Sequence, residues 1–212
     1  MSRLAKVCFL DNDITYKLVA FQLFDEAIAI LQIEKTELQV LPTAKFFFQR
    51  KQKKQGDSPD LVLAQVIDLV RNCIPVNPEL DAISTEELIL LKQVEGIHEG
   101  EAALIVATRS QADFLLLTGD KNCMQALAAI PESIYKRLCG RVICLEQIVL
   151  KLIEVKGFEF VRDRVLPMVS CDITLKICFG YSTPATEESV ASGLNSYINA
   201  IHRNAPRLLA DL

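Results

Sequence analysis

What most constrains this chain is a series of short apolar runs without polar alternation, each followed by a stretch of helical periodicity. Residues 4 to 10, Leu38 to Leu41, Asp113 to Thr118 and Arg141 to Leu145 are runs of this kind. A strand with one wet face alternates polar and apolar side chains. An unbroken apolar run needs cover on both faces, as in a parallel sheet with helical crossovers. The intervening segments supply those helices. From Asp13 to about Glu34, Leu18, Phe21, Phe24, Ile28 and Leu31 recur at helical spacing and predict one long buried helix. Pro42-Thr43 opens the next helix, which runs into a polar break over Arg50 to Pro59, and Asp60 to Cys73 is helical again. Ser84-Thr85-Glu86-Glu87 has the form of a capping box, with Ser84 as the cap. Helices are also expected over Glu99 to Gln111, Lys121 to Ile130 and residues 146 to 156. The pattern predicts an α/β fold, a three-layer α/β/α sandwich on a mostly parallel sheet of about four or five strands.

Size and composition set the surroundings. With 212 residues, half of them apolar, the chain can bury one core of ordinary size. We read residues 1–156 as the α/β domain and 157–212 as a mainly helical extension packed on it, a candidate dimerisation element. In that extension Asp172 to Phe179 reads as helix or strand, and Pro184 to Asn204 as a helix capped by Thr183. The formal charge of −4 gives no global attraction to a polyanion, so a nucleic-acid partner requires a local basic patch or a bound cation. The seven cysteines, Cys8, Cys73, Cys123, Cys139, Cys144, Cys171 and Cys178, never form a Cys-x-x-Cys pair and suit a reduced interior better than structural zinc. No secretory h-region or membrane-length apolar segment is present in the sequence, and the expectation is a cytoplasmic protein without membrane association.

Three acidic segments stand at the edges of the apolar runs: Phe9-Leu10-Asp11-Asn12-Asp13, Gly100-Glu101-Ala102-Ala103-Leu104-Ile105, and Leu116-Leu117-Thr118-Gly119-Asp120. Ligands of open α/β sheets gather beyond the carboxyl ends of the strands, where Asp11 and Asp120 fall, and Glu101 begins the helix feeding the second of those strands. Three carboxylates in one place repel: two unit charges at ~4 Å cost roughly 4 kcal/mol at an effective dielectric of 20. A divalent cation relieves that repulsion, and an oxygen-only donor set selects Mg²⁺ or Mn²⁺. His98 and His202, the only histidines, lie in no triad pattern. The plainer reading makes Asp11, Asp13 and Asp120 helix caps and Glu101 a partner of the helix dipole.

These segments, in this order and at this separation, resemble the successive acidic motifs of PIN domains, over roughly residues 4 to 150. The resemblance implies a parallel α/β/α sandwich, dependence on Mg²⁺ or Mn²⁺, and endoribonuclease activity on RNA. It also raises an inhibitory protein partner, since many bacterial members are toxins of toxin–antitoxin pairs. It makes Asp11, Glu101 and Asp120 the catalytic, metal-holding carboxylates, with Asp13 a supporting metal-site residue. Two departures imply weakened activity. Pro42 to Gln55 contains no acid where the family usually has a Glu, and Lys121-Asn122 follows Asp120 where a further acid is frequent.

The stretch Lys45, Arg50, Lys51, Lys53 and Lys54, interleaved with Phe46, Phe47 and Phe48, is a candidate nucleic-acid contact, although helices with one aromatic buried face and a solvated basic end look the same. Two further readings compete with a nuclease. One is a degenerate PIN-like domain that binds protein or RNA without cutting. The other is suggested by Asp11-Asn12-Asp13-Ile14-Thr15, which also resembles the start of haloacid dehalogenase-like phosphatases and implies Asp11 as nucleophile and Asp13 as acid/base. That family's second acid shortly after Gly-Asp is absent, and Glu101 has no part in it.

Overall fold

Five short strands pair in parallel: β1 (Val7–Leu10), β2 (Leu38–Val40), β3 (Ile74–Pro75), β4 (Phe114–Thr118) and β5 (Val142–Cys144). Their order is β3-β2-β1-β4-β5, in a computed structural model that describes residues 6–54, 60–76, 81–180, 183 and 185–212. Every residue of β4 and β5 is buried, which is the physical reason that neither alternates. β3 is the exception: two exposed residues at the sheet edge, where Pro75 is tolerated because no further strand needs its missing N–H. Helices cover both faces, making the α/β/α sandwich that the apolar runs predict.

The helices are α1 (Asn12–Ala20), α2 (Phe24–Ile30), α3 (Ala44–Lys54), α4 (Leu61–Asn72), α5 (Ala82–Lys92), α6 (Glu99–Ala107), α7 (Lys121–Ala126), α8 (Glu132–Leu138), α9 (Leu145–Lys156), α10 (Phe158–Val165), α11 (Ile173–Phe179) and α12 (Glu187–Asn204). The single long helix expected from Asp13 to Glu34 is two. α1 ends in a Schellman motif: Gln22 adopts φ 52°, Leu23 N–H donates to Leu18 O at 2.9 Å and Gln22 N–H to Val19 O at 2.9 Å. The heptad-like apolar spacing survives the break because the same core lies beneath both halves.

Other boundaries move by a few residues. Asp81, not Ser84, caps α5, its carboxylate accepting from Ser84 N–H at 2.6 Å. Thr186, not Thr183, caps α12, accepting from Ser189 N–H at 3.3 Å. α3 continues to Lys54 through the first half of the expected polar break, whose remainder, 55–59, lies outside the described residues, as do residues 4 and 5 of the first apolar run. Asp172 to Phe179 is helix, capped by Asp172.

Beyond residue 157, α10 and α12 pack on α9, and α12 also meets α7. The segment after α12 covers the β5 edge: Val142 N–H donates to Leu208 O at 3.3 Å, and Ala210 N–H donates to Val142 O at 2.8 Å. Glu87 of α5 accepts both ends of the Arg137 guanidinium from α8, at 2.8 and 3.1 Å, while Arg137 Nε donates to Thr108 Oγ1 at 3.0 Å just after α6. This half-buried cluster fixes the far end of the helix that carries Glu101. Among the described residues no helix is long and apolar enough to cross a membrane.

Candidate metal centre

The chain lays down β1, β2 and β3 in one direction and then returns to place β4 on the other side of β1. A crevice opens at such a reversal, beyond the carboxyl ends of the two strands. Leu10 pairs with Leu117, so the next residues, Asp11 and Thr118, meet at the crevice floor. Asp11 N–H donates to Leu117 O at 3.0 Å, and the Thr118 hydroxyl donates to Asp11 Oδ2 at 3.3 Å. The same hydroxyl accepts from Asp120 N–H at 3.1 Å, holding the β4–α7 turn against Asp11. Asp120 is the N-cap of α7, its Oδ1 accepting from Cys123 N–H at 2.9 Å. Glu101 occupies the third position of α6 and reaches back to the His98 N–H at 2.5 Å. The cap foreseen as the plainer reading of Asp120 is therefore real, and Glu101, foreseen as a partner of the helix dipole, closes a capping box. Each uses one carboxylate oxygen and leaves the other.

Electrostatics links the three carboxylates in series, Glu101 acting on Asp11 and Asp120 on Glu101. Asp11 is 6% exposed, and burial first, then the negative charges of Glu101 and Asp13, push its carboxyl up to about 7. Burial also raises Glu101, with the charges of Asp120 and Asp13 adding to the rise. The Cys123 thiol, buried beneath α7, is driven far up by burial and then by Glu101, Asp120 and Asp11 in turn. None of these three carboxylates forms an ion pair among the described residues. The donors are all oxygen, the type a hard divalent cation takes. No three His, Cys, Asp or Glu side chains among the described residues stand close enough to enclose an ion by themselves. An ion here would keep waters or substrate oxygens in its shell, as Mg²⁺ commonly does.

Asp13 is placed differently. Its Oδ2 faces Lys17 Nζ at 2.5 Å one helical turn on, and the same ammonium lies 2.8 Å from Asp172 Oδ2. Burial alone would lower Lys17 and raise Asp172. Instead the two carboxylates hold the ammonium well above its usual range, and the hydrogen bonds from Lys17 and Leu175 N–H hold Asp172 below its own. Gly119 passes so close that a Cβ there would overlap the Asp13 carboxylate, so glycine is required for contact. Sequence reasoning did not single out Lys17 or Asp172. The available signal was a lysine on the buried face of α1, which needs an acid from elsewhere.

Lys121, which replaces an acid expected after Asp120, turns away to pair with the 1% exposed Glu146 of α9 at 2.8 Å and lies over the Tyr197 ring at 4.6 Å. Two clefts flank Asp13. One, of about 500 Å³, is lined by Asp11, Asp13, Tyr16, Phe47, Arg50, Lys51, His98 and Glu101 among others. The second, of about 460 Å³, holds Lys17, Asp120, Lys121 and Asp172. Of the five basic residues singled out on α3, Arg50 and Lys51 line the first cleft. Lys45 lies over Phe46 at 4.7 Å, Lys53 is exposed outside the cleft, and Lys54 closes the helix. Phe48 is fully buried, as the amphipathic reading requires, whereas Phe46 and Phe47 are about half exposed. No protein-family model, curated protein or solved structure matches this chain.

Proposed function

We propose that the chain is a metal-dependent endoribonuclease of PIN type, with Asp11, Glu101 and Asp120 as its catalytic carboxylates. What supports the reading is that Asp11 and Glu101 line one cleft while the Thr118 hydroxyl, bound to Asp11, holds the turn that carries Asp120, and that none of the three acids has a cationic partner among the described residues. Bound there, Mg²⁺ or Mn²⁺ would polarise the phosphodiester and lower the pKa of an attacking water. Asp11, rigid between Thr118 and the β1 backbone, supplies the fixed ligand. Glu101 and Asp120 each retain an oxygen for the ion or its waters, and their other oxygens are immobilised by α6 and α7. Such positioning by packed secondary structure is what a site needs to stabilise developing charge.

Asp13, held by Lys17, is assigned to the supporting wall. That assignment also weighs against the phosphatase reading, in which Asp13 must be free to exchange a proton. The Lys17–Asp172 pair ties the segment beyond residue 157 to the crevice, and Glu146 brings a buried acid to Lys121 where the PIN pattern has its further acid after Asp120. The test is cleavage of mixed-sequence single-stranded RNA in Mn²⁺ by wild type and Glu101→Gln. Glutamine preserves the bond to His98 N–H, so loss of cutting in a folded variant supports the reading, and undiminished cutting removes Glu101 from it. A folded wild type that binds RNA without cutting in Mn²⁺ favours the degenerate binding module.

A further inference from the structure

We propose that the cleft between α1, α3 and α6 is a nucleobase subsite, in which Phe47 stacks on the base of a nucleotide beside the cleaved phosphate and Arg50 and Lys51 hold its flanking phosphates. The inference rests on the nuclease reading and adds a substrate contact to it.

Phe47 is the unusual residue. Its neighbour Phe48 is wholly buried, yet the Phe47 ring is 49% exposed and lines the cleft that contains Asp11 and Glu101. It is braced by Phe48, which meets it edge to face with centroids 5.1 Å apart. Nearby on the same wall, Lys51 Nζ lies 4.0 Å from the centre of the Tyr16 ring, so the ammonium is fixed beside the aromatic wall instead of ranging through solvent. Arg50 forms no ion pair among the described residues. The volume of about 500 Å³ falls within the ordinary range for small-ligand sites.

These features together select the ligand class. An apolar peptide side chain would use Phe47 and leave the two cations without an anion. Inorganic phosphate would satisfy the cations and leave the ring exposed. A nucleotide presents a flat π face and an anionic phosphate a few ångströms apart, and so can engage Phe47 and the two cations together. Stacking on an aromatic ring is tolerant of base identity and strengthens binding by roughly ten-fold or more.

The test compares ribose 5-phosphate with 5′-AMP and 5′-UMP as ligands of the full chain in Mn²⁺, by titration calorimetry. Wild type should bind either nucleotide about ten-fold tighter than the sugar phosphate. Phe47→Ala should abolish that difference and leave ribose 5-phosphate binding unchanged, with circular dichroism confirming the fold. The chain has no tryptophan, so Phe47→Trp places a single reporter in the cleft. Its fluorescence should be quenched by the nucleotides and not by ribose 5-phosphate. Equal affinities in wild type, no binding of any of the three, or a base preference that survives Phe47→Ala would each overturn the subsite. Metal-dependent RNA cutting without base preference in binding would leave the nuclease standing and remove only the subsite. Base-dependent binding without cutting would do the reverse.

Discussion

Replacing Asp11 by Asn should stabilise the metal-free protein at alkaline pH and make it indifferent to metal. Asp11 is buried beside negative groups, with the charge of Glu101 reaching it from α6 and that of Asp13 from α1. Among the described residues no cation offsets these charges at Asp11, and the Lys17 ammonium on the same helix is occupied by Asp13 and Asp172. Its carboxyl is raised from 3.8 to about 7, so the folded protein holds a proton that the unfolded chain releases. Stability therefore falls as pH rises from about 4 to about 7 and levels off above. Three pH units at ~1.4 kcal/mol each give a total of about 4 kcal/mol, of which about 3 kcal/mol falls between pH 5 and pH 8. Asparagine carries no charge and can still accept from the Thr118 hydroxyl. Urea unfolding of both proteins at pH 5, 6, 7 and 8 in EDTA should show the variant gaining about 3 kcal/mol on wild type across the series. Addition of Mn²⁺ at pH 8 should raise the melting temperature of wild type and leave the variant unmoved, since a bound cation favours the ionised Asp11. Parallel stability curves for the two proteins would refute the electrostatic reasoning, and an equal Mn²⁺ response would refute the assignment of Asp11 as a ligand.

Lys17→Met should cost about 3 kcal/mol in urea unfolding, because it leaves Asp13 and the buried Asp172 facing each other unpaired; a loss below about 1 kcal/mol would show that the pair is not a structural clamp. Gly119→Ala should displace the Asp13 carboxylate, lower stability by about 1–3 kcal/mol and reduce RNA cutting, whereas an unchanged melting temperature would contradict the close approach. The double variant Arg50→Gln/Lys51→Gln should flatten the dependence of log affinity on log salt for single-stranded RNA by about 1.4, from two lost phosphate contacts. Lys45→Gln/Lys53→Gln, outside the cleft, should leave that slope unchanged, and equal slopes for both pairs would show that the patch acts through net charge alone.

The sheet was legible because burial on both faces leaves an unmistakable mark: the runs ending at Leu10 and Thr118 have no polar alternation, and the acids that follow them necessarily stand at strand ends. Glu101 was legible from its position at the start of the helix preceding β4. The break after α1 was not, because Gln22 occupies the left-handed position at which glycine would have signalled a stop. β3 is two residues long and carries no pattern, and α8 was hidden in a stretch with little periodic length. The cap of α5 was misread because Asp81 and Ser84 both satisfy capping chemistry, and only backbone geometry separates them. Asp172 could not be placed from sequence. Its importance comes from a single long-range contact with Lys17, and a lone acid before a short helix reads as nothing more than a cap. The two exposed phenylalanines of α3 were ambiguous for a related reason, since helical periodicity gives the face of a side chain and not whether another layer covers it.

The most direct measurement is cleavage of mixed-sequence single-stranded RNA by the purified chain in Mn²⁺, alongside the same reaction in EDTA and with Asp120→Asn. Asparagine is as good a helix cap as aspartate, so this variant keeps α7 and removes only the charge. The proposed site requires cutting in Mn²⁺ that disappears in both controls. Cutting that persists in EDTA, or in folded Asp120→Asn, would contradict a metal-dependent nuclease built on Asp11, Glu101 and Asp120.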